Sequence, residues 1–185
     1  MKKEELNKIL NKHKKWLRTN GKVGFVANFR CINLRYVDLC YTDLRYADLS
    51  YADLSYADLR YADLCYADLS HADLSRADLR HADLSYANLR STDLLYADLR
   101  HADLRSADLD YSVFPLWCGG LDVNIDDRQA TQFLYHLIRN VNYSENISES
   151  FKKLCMTESL VNQANKFHRI DECGIIKETN QCSQS

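Results

Sequence analysis

The chain has 185 residues, 24 Lys and Arg against 26 Asp and Glu, and a formal net charge of −2. That length allows one repeat domain with caps or at most two small domains. So even a balance points toward neither nucleic acid nor an acidic polymer as partner. No apolar run approaches the roughly 20 residues that span a bilayer, and the opening MKKEELNKIL lacks the apolar core of a signal peptide. A cytoplasmic location without membrane contact is expected. Seven cysteines (Cys31, Cys40, Cys65, Cys118, Cys155, Cys173 and Cys182) are scattered, odd in number and without a CxxC pair. They read as free thiols in a reducing compartment, where the sequons at Asn142 and Asn146 are idle.

In chain order, residues 4–19 place Leu6, Ile9, Leu10, His13, Trp16 and Leu17 at helical spacing with lysines on the other side. An amphipathic helix is expected within residues 1–25, leading through Gly21 to Gly24 into the next region.

From residue 26 to residue 114 a five-residue unit repeats without a break, as YADLS, YADLR and HADLR. Its fourth position is Phe29, then leucine at strict intervals of five to Leu109, and finally Phe114, eighteen units in all. Two residues earlier stands a small or β-branched residue, most often alanine, and between them Asp or Asn, except in the last unit, where Val113 stands. A fixed short period takes precedence over propensity. On an α-helix, five residues turn the leucine by about 140°, smearing it around the surface. On a continuous strand an odd period sends successive leucines to opposite faces. Both objections vanish if the chain bends once per unit. Ala and Leu then face inward, Asp and the two residues after the leucine face outward, and each coil buries its apolar side against its neighbours.

The tandem A(D/N)LXX unit resembles the pentapeptide-repeat family, and the resemblance covers residues 26–114. It implies a mainly β fold, a right-handed quadrilateral β-helix with four units per coil, so that residues twenty apart stack. An N-terminal helical cap and C-terminal α-helices complete the expected architecture. At a sheet spacing of about 4.8 Å the coils make a rod roughly 21 Å long. The corner position, often Gly in that family, is here mostly Tyr. A solenoid's first coil exposes an apolar ring and an unpaired backbone edge, which Trp16 and Leu17 are expected to cover. Larger inward residues there (Ile32, Val37, Thr42) suit a plug.

Beyond Phe114 comes the only proline, Pro115, then Trp117 and Leu121 beside Gly119-Gly120. Phe114 and Trp117 are expected to seal the far end. Asp126 or Asp127 can cap a helix to about Asn140, with Phe133, Leu134, Leu137 and Ile138 as its apolar set. A second helical stretch is expected from Ser148 to His168, restarting near Thr157, before a polar tail from Ile170. Residues 115–185 exceed what a plug needs, which leaves them for a homodimer or partner surface.

No GxxxxGK, GxGxxG or HExxH occurs, and an SxxK match at Ser150 lacks its companion motifs. His81 and His101 share a corner but lack a third ligand. No catalytic, cofactor or metal site is expected, and the chain does not read as an enzyme. Charge is the one functional signal with shape. Residues 1–25 carry net +6, residues 26–114 net −6 and the remainder net −2. In the twenty-residue register Arg60, Arg80 and Arg100 neutralise Asp58, Asp78 and Asp98. By contrast, Asp48, Asp53, Asp68 and Asp73 stand beside serines and form an acidic corner, a candidate site for a protein partner. The resemblance extends to a quinolone-resistance branch and so implies DNA mimicry toward DNA gyrase. The two acidic faces carry Asp48, Asp68, Asp108, Asp110, Asp53, Asp73 and Asp93 against Arg30, Arg35 and Arg90. That is about one charge per 5 Å, some threefold sparser than duplex DNA. A protein-binding scaffold is the primary reading, with the gyrase modulator as its alternative.

Overall fold

A computed structural model describes residues 1–113, 123–143 and 157–164. Two compact units result, Met1–Ile125 and Asp126–Ser185. The expected seals Phe114 and Trp117, the Gly119-Gly120 turn and the tail from Ile170 lie outside the described residues.

Within the first unit, backbone bridges join Asn28 to Asp48, Asp48 to Asp68, and so on in parallel register at intervals of twenty. Non-glycine residues from Cys31 to Tyr111 have φ between 55° and 64° at every fifth position. Five residues between corners and twenty between bridges make four sides per coil. The chain forms single bridges on each side instead of continuous strands, because a corner interrupts it before a second bridge can form.

Hydrogen bonding explains the unit residue by residue. In the unit 51–55, Tyr51 N–H donates to the Ser70 carbonyl at 2.9 Å and Leu54 N–H to the Asp73 carbonyl at 2.8 Å, both on the next coil. Asp53 N–H donates back to the Ile32 carbonyl at 3.0 Å, and Ala52 N–H closes the corner on the Leu49 carbonyl at 3.1 Å. Four donors are thereby satisfied by backbone. The fifth, Ser55 N–H, donates to Asp53 Oδ1 at 3.1 Å. A half-buried donor without an acceptor costs about 1–3 kcal/mol, so each unit requires a short side chain carrying an oxygen. Asn serves as well as Asp: Asn28, Asn33 and Asn88 accept from Arg30, Arg35 and Arg90. Val113 occurs in the one unit whose fifth residue is Pro115, which has no N–H to satisfy.

The inward Ala and Leu columns are buried throughout, and Phe29 is fully buried at their start. Thr92 occupies an alanine position and stays dry because its hydroxyl donates to the Leu69 carbonyl at 2.7 Å. Asn124 pairs with Asp103, twenty-one residues back instead of twenty. The compact unit thus continues past the pentapeptide pattern to Ile125.

Helix α1 spans Lys3–Arg18. It ends where Gly21 N–H donates to the Trp16 carbonyl at 2.9 Å and the Thr19 hydroxyl takes the Val23 N–H at 2.9 Å. At Gly24, with φ 89°, a side chain would collide with the Lys12 carbonyl, so the returning chain lies flush against the helix. Trp16 and Leu17 are only half-buried, while Leu6 and His13 are buried. His13 Nδ1 accepts the Ala27 N–H at 3.1 Å, and Trp16 meets the Tyr46 ring edge-on at 6.1 Å.

In the second unit, α2 spans Asp127–Tyr143. Asp126 Oδ1 accepts the Gln129 N–H at 3.1 Å while Gln129 Oε1 accepts the Asp126 N–H at 3.0 Å, a reciprocal cap. The helix runs to Tyr143 instead of Asn140. Its buried face carries Gln129, Gln132, Tyr135 and Ile138, whereas Phe133 and Leu134 are half-buried. Of the expected second stretch, α3 is described over Glu158–Ala164; it packs on α2 with Val161 buried. Among the described residues no helix is long and apolar enough to cross a membrane.

Candidate functional site

Four outward columns of Asp or Asn run along the rod, named here for their first residue. On the Asp38 face, Arg60, Arg80 and Arg100 each grip the Asp two residues before them at 2.6 Å, and Arg60 and Arg80 reach the next coil's Asp at 3.6 Å. These forks hold the Asp58 and Asp98 carboxyls below the usual range. On the Asp43 face, Arg45 and Arg105 do the same for Asp43 and Asp103. Asp63 differs: burial pushes its carboxyl up, with Asp43 and Asp83 adding to the effect against its Cys65 N–H bond and Arg45.

The remaining faces hold the four expected aspartates. Asp48 and Asp68 stack on the Asn28 face, Asp53 and Asp73 on the Asn33 face, and the edge between them carries Tyr51 and His71, stacked at 4.6 Å. All four carboxylates are half-buried. Each spends Oδ1 on the N–H two residues on, at 2.9–3.1 Å. Asp48 and Asp53 also take the Ser50 and Ser55 hydroxyls at 2.6 Å. Those serines, and Ser85 on the Asp43 face, are buried, not outward as the period alone suggests, because the hydroxyl folds back onto the carboxylate. Arg35 approaches Asp53 at 3.8 Å; Asp48, Asp68 and Asp73 have no ion pair among the described residues.

Corner aromatics continue around the rod. Tyr41, Tyr61, His81 and His101 stack at 4.6–4.7 Å, and Tyr46, Tyr66 and Tyr86 at 4.8–5.2 Å. Arg76 interrupts a third ladder, lying over Tyr96 at 4.9 Å and Tyr56 at 5.6 Å. Among the described residues no three His, Cys, Asp or Glu side chains converge as metal ligands, and Cys31, Cys40 and Cys65 are free thiols.

The family model for pentapeptide repeats matches eight copies, over residues 27–64, 57–94 and 82–114. The chain belongs to the pentapeptide-repeat family. Membership implies a right-handed quadrilateral coil, and the twenty-residue register displays its four sides. Among solved members, alr5209 from Nostoc PCC 7120 is 32% identical, over 63% of this chain and 93% of that one, with a TM-score of 0.43. HetL from Nostoc sp. strain PCC 7120, involved in heterocyst differentiation regulation, is 36% identical over 54% of this chain, with a TM-score of 0.29. This pentapeptide-repeat chain spans 47% of HetL. QnrB1, a plasmid-mediated fluoroquinolone resistance protein, is 18% identical over 60% of this chain and 64% of its own, with a TM-score of 0.28. No curated protein matches the chain.

Two features escaped the period. One is the role of Asp as acceptor for the fifth donor, for which the only sequence signal was the tolerance of Asn and the coincidence of Val113 with Pro115. The other is His13, legible only as a histidine within an apolar stripe.

Proposed function

We propose that this protein is a non-enzymatic scaffold that binds a protein partner along the Asn28 and Asn33 faces. The observation that carries the reading is a contrast between sides. Arginine forks grip Asp43, Asp58, Asp78, Asp98 and Asp103, five of the eight aspartates on the Asp38 and Asp43 faces. Among the described residues Asp48, Asp68 and Asp73 keep carboxylates without ion pairs, on either side of the Tyr51–His71 edge. Preformed coils hold this surface rigid, so a partner's basic groups meet it with little ordering cost. In this reading the protein acts in the cytoplasm and binds neither nucleic acid nor membrane. Helix α1 then serves as lid for the first coil, and residues 115–185 as a homodimer or second partner surface.

Changing Asp to Lys is a poor probe, since lysine cannot accept the fifth N–H. Asn removes the charge and keeps the turn. The test is capture from native cell extract by the wild type and by a combined Asp48→Asn, Asp53→Asn, Asp68→Asn, Asp73→Asn variant. Loss of one specific partner, with unchanged circular dichroism, is expected. Equal capture by both overturns the reading, and capture that follows residues 115–185 moves the site there. A parallel titration into a gyrase supercoiling assay, with and without a quinolone, addresses the alternative. Inhibition or drug protection at micromolar concentration would replace the general scaffold by the DNA-mimicking gyrase modulator.

A further inference from the structure

We propose that His13 is an acid-sensitive latch holding α1 on the first coil. In the later Ala-bearing units the alanine N–H closes its corner on the leucine carbonyl three residues back, as Ala47 does on Leu44 at 3.0 Å. Ala27 opens the first unit and has no leucine before it; Gly24 stands there instead. His13 Nδ1 takes the place of that carbonyl, accepting the Ala27 N–H at 3.1 Å. The ring is fully buried and lies nearly parallel to Trp16 at 6.1 Å.

An imidazole nitrogen accepts only while unprotonated, so the docked helix requires neutral His13 with its proton on Nε2. Among the described residues Nε2 meets no hydrogen-bond partner. Adding a proton puts Nδ1–H against the Ala27 N–H, donor against donor, and puts charge on a buried ring. The first coil offers little compensation. Asp43 faces His13, but both its oxygens are taken by Arg45 at 2.9 and 2.8 Å, and Arg45 itself repels an imidazolium. On α1 the neighbouring Lys12 and Lys14 are exposed and of the same sign.

Burial lowers the His13 pKa from its ordinary value. The released helix therefore binds a proton more readily than the docked one. Docking is at full strength above about pH 6.5, and each unit of acidification below it weakens docking up to about tenfold, until the docked-state pKa is passed.

The test uses the full-length 15N-labelled chain. The exchange protection factor of the Ala27 amide, corrected for intrinsic rate, is measured from pH 7.5 to 4.5. Wild type is expected to lose protection across that interval. His13→Asn is expected to hold it, since Asn Oδ1 occupies the Nδ1 position and does not titrate; His13→Ala is expected to have low protection throughout. A flat wild-type profile overturns the latch, as does the same fall in His13→Asn. Should the Asn variant lose the β-type circular dichroism, the imidazole titration in the wild type decides. A midpoint below about 6.5 supports the latch, and one above it refutes it.

Discussion

Asp73 offers the cleanest separation of what an aspartate does for the coil from what its charge does on the surface. Its Oδ1 accepts the Ser75 N–H at 2.9 Å, and among the described residues, unlike Asp48 and Asp53, it takes no serine hydroxyl and has no ion pair. Asp73→Ala deletes the only acceptor of the fifth donor in its unit. Leaving that half-buried N–H unpaired should cost about 1–2 kcal/mol, lowering the thermal midpoint by roughly 4–10 °C for a unit of this size. Asp73→Asn keeps the acceptor, as Asn88 does for Arg90 at 3.2 Å. It should stay within about 0.5 kcal/mol of wild type. Urea unfolding followed by circular dichroism, at equal slope, measures both. If the alanine variant proves as stable as the asparagine one, the fifth donor finds another partner and the explanation of the repeat's Asp is wrong.

Asp63 should show a pH dependence opposite in sign to that of its neighbours. Asp58, Asp98 and Asp103 are held low by their arginines, so their stabilisation is complete above about pH 4 and lost below it. Burial raises Asp63, so its ionisation costs the fold as pH rises through its folded value. Asp63→Asn should therefore raise the urea midpoint at pH 7 and leave it unchanged at pH 3; a lower midpoint at pH 7 would refute this. At Tyr61, with φ 57° and stacked contacts of 4.7 Å to Tyr41 and 4.6 Å to His81, alanine should cost about 1–2 kcal/mol in lost stacking. Glycine should recover about 1 kcal/mol of that by relieving the left-handed backbone. An alanine variant at least as stable as the glycine one would contradict it.

Much of the architecture was legible in residues 26–114 because the period is short and strict. Five residues per unit excluded a helix and a continuous strand, and the corner ladders at Tyr41, Tyr61 and His81 stand where the twenty-residue register puts them. The ion pairs of Arg60, Arg80 and Arg100 followed from the same counting. Where the period ends, so did its reach. The α2 face kept the expected Ile138 but took Tyr135 in place of Phe133 and Leu134, because helical spacing offers several adjacent faces and only the element packed against the helix selects one.

By itself, the sequence determined the family, the inward Ala and Leu columns and the distribution of charge, since all three are properties of local spacing. Tertiary structure alone decided the fate of the polar groups. It turned Ser50 and Ser55 onto Asp48 and Asp53, left Asp68 and Asp73 without arginine partners among the described residues, and set His13 in the place of a missing carbonyl. A hydrophobic column needs only a direction, which a period supplies. A hydrogen bond needs a particular donor within about 3 Å of a particular acceptor, and which two groups meet depends on segments that the fold alone brings together.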